Sequence, residues 1–244
     1  ELAAKHFLQL IDNTLLSTDA ETGVENYSTV WIFGTREFIE LLTRGDIAFM
    51  DGTFKTAPRG FTQLVTYHTV FPSNNVVIPC LWVMTTHRNA DTYEKVWNWL
   101  KRYCAFCGFI FALLNIMADH ELGIIKSIPV GMTHYSCFFH YTSNIFGRVK
   151  VLKLLKSYYK ITYVREFVLF IMSIPLLKEE HVDGGIDYVK SKLNAIHETK
   201  TTDNEWIADK CTDLWKYFNK QWLKRMNTDG STTNLVADLK YRTN

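Results

Sequence analysis

In the first half of the chain, apolar positions fall in short runs cut by turn residues; near residue 141 the spacing turns helical. Between Ala3 and Leu16, a helix would gather Phe7, Leu8, Leu10, Ile11 and Leu15 on one side, so a lead-in helix is expected there. Val30-Trp31-Ile32-Phe33 predicts a short strand ended by Gly34. Thr35 suits a helix cap ahead of Phe38, Ile39, Leu41 and Leu42. Residues 47–51 form a brief apolar run bounded by turn residues and read as a buried strand. Thr56-Ala57-Pro58-Arg59-Gly60 is a turn, and Phe61 to Val70, rich in Thr, Val, Tyr and Phe, is a strand. A tight turn over 71–75 leads to a nearly all-apolar third strand, 76–84, where Pro79 calls for an edge position or a bulge. Three strands joined by short turns make an antiparallel meander.

Asn89 caps the next helix, which lines up Tyr93, Val96, Trp97, Leu100 and Tyr103 as a core-facing stripe. The apolar run from Phe109 to Ala118 suits a buried helix, although its end, meeting Asp119, resembles the strand that meets Asp51. A short helix over 120–128 and a last strand over 132–139 follow. Beyond Tyr141 the chain is helical, with Pro175 and Gly184-Gly185 as breaks. Three strands, helix, strand, helix, strand and then helices is the order of an RNase H-like core with a helical part behind it. The expected fold class is therefore α/β, an α+β mixed sheet of about five strands with flanking helices. The expected division is a lead-in of helices and a short strand over 1–45, the core over 46–145 and an α-helical insertion over 146–244.

With 47% hydrophobic residues, the 244-residue chain has material for a sizeable core. The net charge of +2 excludes bulk charge as a reason to bind nucleic acid, so any anion-binding surface must be local. Five cysteines at irregular spacing fit a reducing compartment better than a disulfide framework. No run of 18 apolar residues occurs, so neither a spanning helix nor a membrane partner is expected. The chain opens on Glu1 without a visible secretory signal and reads as a piece of a longer protein.

Candidate chemistry starts at Asp51. Followed by Gly52, it is either a carboxylate at the end of a strand or half of a hairpin turn. In an RNase H-like sheet the first and fourth strands are neighbours, which would bring Asp51 and Asp119 together. Two close carboxylates repel and call for a proton or a metal. With Mg2+ or Mn2+ such a pair supports a two-metal site for in-line phosphoryl displacement.

The surrounding residues are more specific. Phe49-Met50-Asp51-Gly52-Thr53-Phe54-Lys55 resembles the opening motif of the MULE (Mutator-like element) transposase domain. Gln63-Leu64-Val65-Thr66-Tyr67-His68 is similar to that family's second strand. Asp119-His120-Glu121 resembles its Asp-Phe-Glu segment, and Cys137-Phe138-Phe139-His140 its Cys-x-x-His motif. The similarity continues through Phe167–Leu177 to Tyr217–Trp222. It implies a DDE-type core that cleaves DNA and transfers strands, with Asp51 and Asp119 as the first two catalytic, metal-binding acids. It further implies a nuclear protein, DNA (transposon ends and target) as partner and a homo-oligomeric assembly.

The chain departs from the family at the third acid, a Glu a few residues past Arg-Thr-Asn-Asn. Arg242-Thr243-Asn244 closes the sequence before that Glu, while a register on Thr232-Thr233-Asn234 would put Ala237 in its place. On either register this piece alone is expected to catalyse little or nothing. His120 replaces an aromatic residue, and Glu121 suits an ion pair or a cap better than a metal. Cys137 and His140 either border the active site or are structural. Joined with Cys104 and Cys107 they would make a zinc set, against which stand the long gap between the pairs and the apolar surroundings. Lys150, Lys153, Lys156 and Lys160 would share one side of a helix, opposite Val151, Leu154, Leu155 and Tyr158. That side is either a DNA-gripping face or a solvated one. Lys55 and Arg59, just past Asp51, are further DNA candidates. Two alternatives to a transposase stand: a catalytically inactive descendant that binds DNA or protein, and an ordinary RNase H-like nuclease.

Overall fold

A computed structural model describes residues 7–199, 205–223, 225–226 and 232–233. The chain divides into two units, the first ending at Tyr135 and the second beginning at Ser136.

The first unit is built on a seven-stranded sheet, in the order β1-β2-β5-β4-β3-β6-β7. Its strands are β1 (Leu8–Thr18), β2 (Glu25–Phe33), β3 (Ile47–Thr53), β4 (Gln63–Phe71), β5 (Val76–Thr85), β6 (Asn115–Ala118) and β7 (Thr133–Ser136). β3, β4 and β5 form the expected antiparallel meander, and β6 lies parallel to β3. The five strands β5-β4-β3-β6-β7 have the order of an RNase H-like core, with β1 and β2 added beyond β5.

Alternation places the core. Val30, Ile32, Ala48, Met50, Val65, Tyr67, Leu81, Val83, Ile116 and Ala118, every second residue of their strands, are buried on one face. Against that face pack Ile39 and Leu42 of α1 (Arg36–Arg44) and Tyr93, Val96, Trp97 and Leu100 of α2 (Ala90–Cys107). Trp97 meets Tyr67 edge to face at 5.5 Å. Both helix starts are capped as their sequences require: Thr35 Oγ1 accepts from the Phe38 amide, and Asn89 Oδ1 from the Thr92 amide.

Several expectations are corrected. Among the described residues of 3–16 there is no helix; 8–18 is the edge strand β1. It closes a hairpin with β2 through a turn in which Asp19 Oδ1 accepts from the amides of Glu21 and Thr22, and Gly23 takes a φ of 69°. Backbone pairing with β2, together with Asn13, Thr14, Ser17 and Thr18, which are all weak helix formers, outweighs the apolar stripe. The ribbon is joined to β5 by only the pairs Val30–Thr85, Trp31–Met84, Ile32–Val83 and Phe33–Trp82. Pro79 lies beyond this contact and at the bulge where Tyr67 pairs with Leu81 and His68 with Pro79, a position at which a strand tolerates proline. Asp51-Gly52 is not a hairpin, since β3 continues through it and pairs Gly52 with Val65. Phe109 to Leu114 is irregular and only 115–118 is strand. The last strand stops at Ser136, and Phe138 already belongs to the helix α4 (Phe138–Val151). A short helix, α3 (Leu122–Ser127), lies between β6 and β7.

The second unit is largely helical. α4 is followed by α5 (Leu155–Lys160), α6 (Thr162–Ser173), α7 (Val182–Glu198) and α8 (Glu205–Phe218). Tyr141, Ile145, Val149, Phe167, Ile171, Val189, Leu214 and Phe218 are buried in its own core. Tyr141 satisfies its hydroxyl on the Ile171 carbonyl at 2.6 Å and stands edge-on to Trp222 at 4.8 Å. Pro175 opens a single tight turn after α6. Gly184 and Gly185 do not break a helix; they lie in the first turn of α7. A Cβ on Gly185 would fall 2.3 Å from Leu177 Cδ1, the end of a 40% exposed side chain that can turn aside.

Candidate acidic site and basic surfaces

Strand order brings Asp51, within β3, and Asp119, the residue after β6, to the same end of neighbouring strands. The β3–β6 ladder pairs Ile47 with Asn115, Ala48 with Ile116 and Phe49 with Met117. Carried two residues past its last pair, the same offset would set Asp51 opposite Asp119. Adjacent strands are about 4.8 Å apart. Ala48 and Met50, and Ile116 and Ala118, point into the core, so alternation turns the Asp51 carboxylate to the other face of the sheet, and carried one residue past β6 it would turn Asp119 there too. Asp51 is exposed and Asp119 half-buried. Asp119 Oδ1 also accepts from the His120 amide at 2.7 Å, which orients its carboxylate.

Two residues not singled out in the sequence belong to this neighbourhood. Arg88, between β5 and α2, makes an ion pair with Glu121 and lays its guanidinium 4.5 Å from the Phe54 ring centroid. It thereby ties the loop after Asp51 to the segment after Asp119. Glu121 takes the ion-pair role rather than a side-chain cap. Behind Arg88, the buried Gln63 Nε2 donates to Tyr93 Oη at 2.8 Å. Gly52 leaves room for this pair, since a Cβ there would stand 3.1 Å from Gln63 Oε1. Gly123 is equally constrained: its Cβ would fall 2.5 Å from the Arg88 carbonyl oxygen. His134 of β7 is the second. Burial pushes its imidazole below the ordinary value, opposed by hydrogen bonding to the backbone of Ala118 and Asp119 and by the Asp119 charge. Its ring lies 6.2 Å from that of His120. A partner 33 residues away is invisible to local pattern, so no sequence signal marks Arg88.

Lys55 and Arg59 lie exposed in the loop after Asp51. In the second unit, Lys150, Lys153, Lys156 and Lys160 are all exposed but not on one helix. α4 ends at Val151, Lys153 takes a left-handed φ of 61°, and α5 starts at Leu155. The break lets Leu152 and Leu154 both enter the core, and it leaves Val151, expected on the apolar side, 69% exposed. Beside Lys150 runs a groove whose walls include Phe146, Tyr158 and Thr142.

Cys137 is the residue before α4, and His140 is in its first turn. They touch: a side-chain hydrogen bond with His140 draws the Cys137 thiol below its ordinary value, against the effect of burial. Cys104 is buried in the first unit and Cys107 half-buried, both as free thiols. Among the described residues no three His, Cys, Asp or Glu side chains come together as a preformed metal cage. Arg242 to Asn244, Asn234 and Ala237, the two registers considered for the third acid, lie outside the described residues. Among the described residues no helix is long and apolar enough to cross a membrane.

No family model and no curated protein matches the chain. Among solved structures it is similar to a chain of the Drosophila P element transposase strand transfer complex, at 12% identity over 84% of this chain and 73% of that one, with a TM-score of 0.29.

Proposed function

We propose that this chain is the core of a DDE-type, Mutator-like DNA transposase, in which Asp51 and Asp119 are the first two metal-binding acids. What carries this proposal is the β3–β6 ladder, whose three parallel pairs, extended by two residues, would set the two acids opposite each other. The motifs around both acids support it as well. The donors available are carboxylate oxygens, which suit Mg2+ or Mn2+ better than zinc. Such ions, when bound, activate the attacking oxygen and stabilise the leaving one. The chain's own residues position: the Arg88–Glu121 pair and the Phe54 stack hold the two acid-bearing segments together, and the His120 amide fixes Asp119. Asp51 stands at an open surface, as a substrate as thick as a DNA strand requires. Lys55, Arg59 and the lysines from Lys150 to Lys160 are assigned to phosphate contacts, and the protein to the nucleus and to an assembly of several copies.

Mn2+ binding followed by electron paramagnetic resonance tests the site. Weak binding by the chain, abolished in both Asp51→Asn and Asp119→Asn, is expected. Binding that survives both substitutions would remove the acidic pair from the mechanism.

A second reading is a catalytically inactive descendant that binds DNA or protein. It predicts DNA binding indifferent to both Asn variants and to Mn2+.

A further inference from the structure

We infer that β1 is a self-association edge, on which a second copy of this chain adds its own β1 antiparallel to the first. This rests on the strand alone and holds whether or not the chain cleaves DNA.

Among the described residues β1 is the terminal strand of the sheet, and over Leu10–Leu15 its backbone pairs with β2 alone. Its outer edge therefore offers a row of backbone donors and acceptors. Exposed edges are normally blunted by lysine, proline or inward charge. Leu8 to Thr18 contains no Lys, Arg or Pro. Its one charge, Asp12, is turned toward α2, where Lys95 Nζ donates to Asp12 at 2.9 Å and to Thr14 at 2.6 Å. Register shifts between Leu8 and Leu10 and between Leu15 and Ser17 bracket a regular stretch, 10–15. Apolar side chains stay open along it and at its end: Ile11 is 50% exposed, Leu15 47% and Leu16, at the second register shift, 50%.

The occupant follows from the order of residues. A two-fold axis needs a strand that complements itself when reversed. Centred on Asn13, reversal sets Ile11 opposite Leu15, Leu10 opposite Leu16 and Asp12 opposite Thr14 of the other copy. Apolar meets apolar, no like charges face each other, and only Asn13 meets its own kind. Centred one half-step earlier, Ile11 would face Thr14 and Gln9 would face Leu16, which loses the match. Cross-strand apolar pairs of this kind stabilise a ladder. On the face away from α2, two Ile11–Leu15 pairs would flank the axis and close the patch.

Sedimentation of the full chain at tens of micromolar is expected to give twice the 28.4 kDa of one copy. The double variant Ile11→Lys, Leu15→Lys sets ammonium against ammonium on both sides of the axis. It should weaken the dimer by roughly a hundredfold or more while leaving the circular dichroism unchanged. Mixing an Ile11→Lys chain with a Leu15→Glu chain should restore it. Under mild oxidation Asn13→Cys should cross-link to itself, because facing Cα atoms stand about 4.5–5.5 Å apart. Thr18→Cys, near the far end of the ladder, should not. A monomer at every concentration, a dimer indifferent to the lysines, or equal cross-linking at both cysteine positions would each overturn the inference.

Discussion

Cys137 differs from the chain's buried thiols in its electrostatics. His140 draws its thiol down, whereas burial pushes Cys80 up to about 11 and Cys211 up to about 12. The thiolate is the reactive form. Alkylation of the folded protein near neutral pH should therefore label Cys137 ahead of Cys80, Cys104 and Cys211, and His140→Ala should slow that labelling by roughly the factor its lost hydrogen bond implies, on the order of tenfold. Mass spectrometry of timed digests reads the order directly; labelling led by one of the buried three would refute it. At this scale the sequence was partly legible. Asp51 and Asp119 stand out as acids ending apolar runs. Arg88 does not, because its worth lies in Phe54 and Glu121, which the fold brings to it.

Legibility at the scale of elements follows burial. The meander from Ile47 to Thr85 was readable because turn residues punctuate strands that alternate against a core. β1 was not, because an edge strand exposes both faces and its apolar positions need obey no period of two. The lysine segment misled for a different reason: Leu152 and Leu154 both need the core, and a left-handed residue between them satisfies that better than a continuous helix. β1 is also where acid should act first. Burial raises the Asp12 carboxyl, but hydrogen bonds from Lys95 and Thr14, with the charges of Lys95 and Arg102, more than offset this, and the group lies below its ordinary value of 3.8. A depressed carboxyl contributes stability that is present above 3.8 and lost as pH falls through the folded-state value. Hydrogen exchange in β1 should accordingly quicken below about pH 4 before that in β3 and β4 does. Asp12→Asn should remove the difference, and an unchanged profile in that variant would exclude Asp12 as its source.

At the scale of the molecule, two cores are the main fact. One gathers Tyr67, Trp97 and Leu100 under the sheet, the other Tyr141, Phe167 and Phe218 among helices. Phe167→Ala should cost about 3–5 kcal/mol, felt within the second unit. Exchange should then quicken in α4, α6 and α8 and stay unchanged in β3, β4 and β5; a uniform loss would mean that both cores melt as one. The ribbon of β1 and β2 has a mechanical side too. Anchored to β5 by the short contact from Val30 to Phe33, it is a cantilever, long beyond its support. Any load applied to its outer rail, whether a neighbouring chain or a denaturant, is shared between those rungs, the Thr86–Thr29 backbone bond and the Lys95 contacts to Asp12 and Thr14, and both β5 and β4 stand between the ribbon and Asp51 on β3.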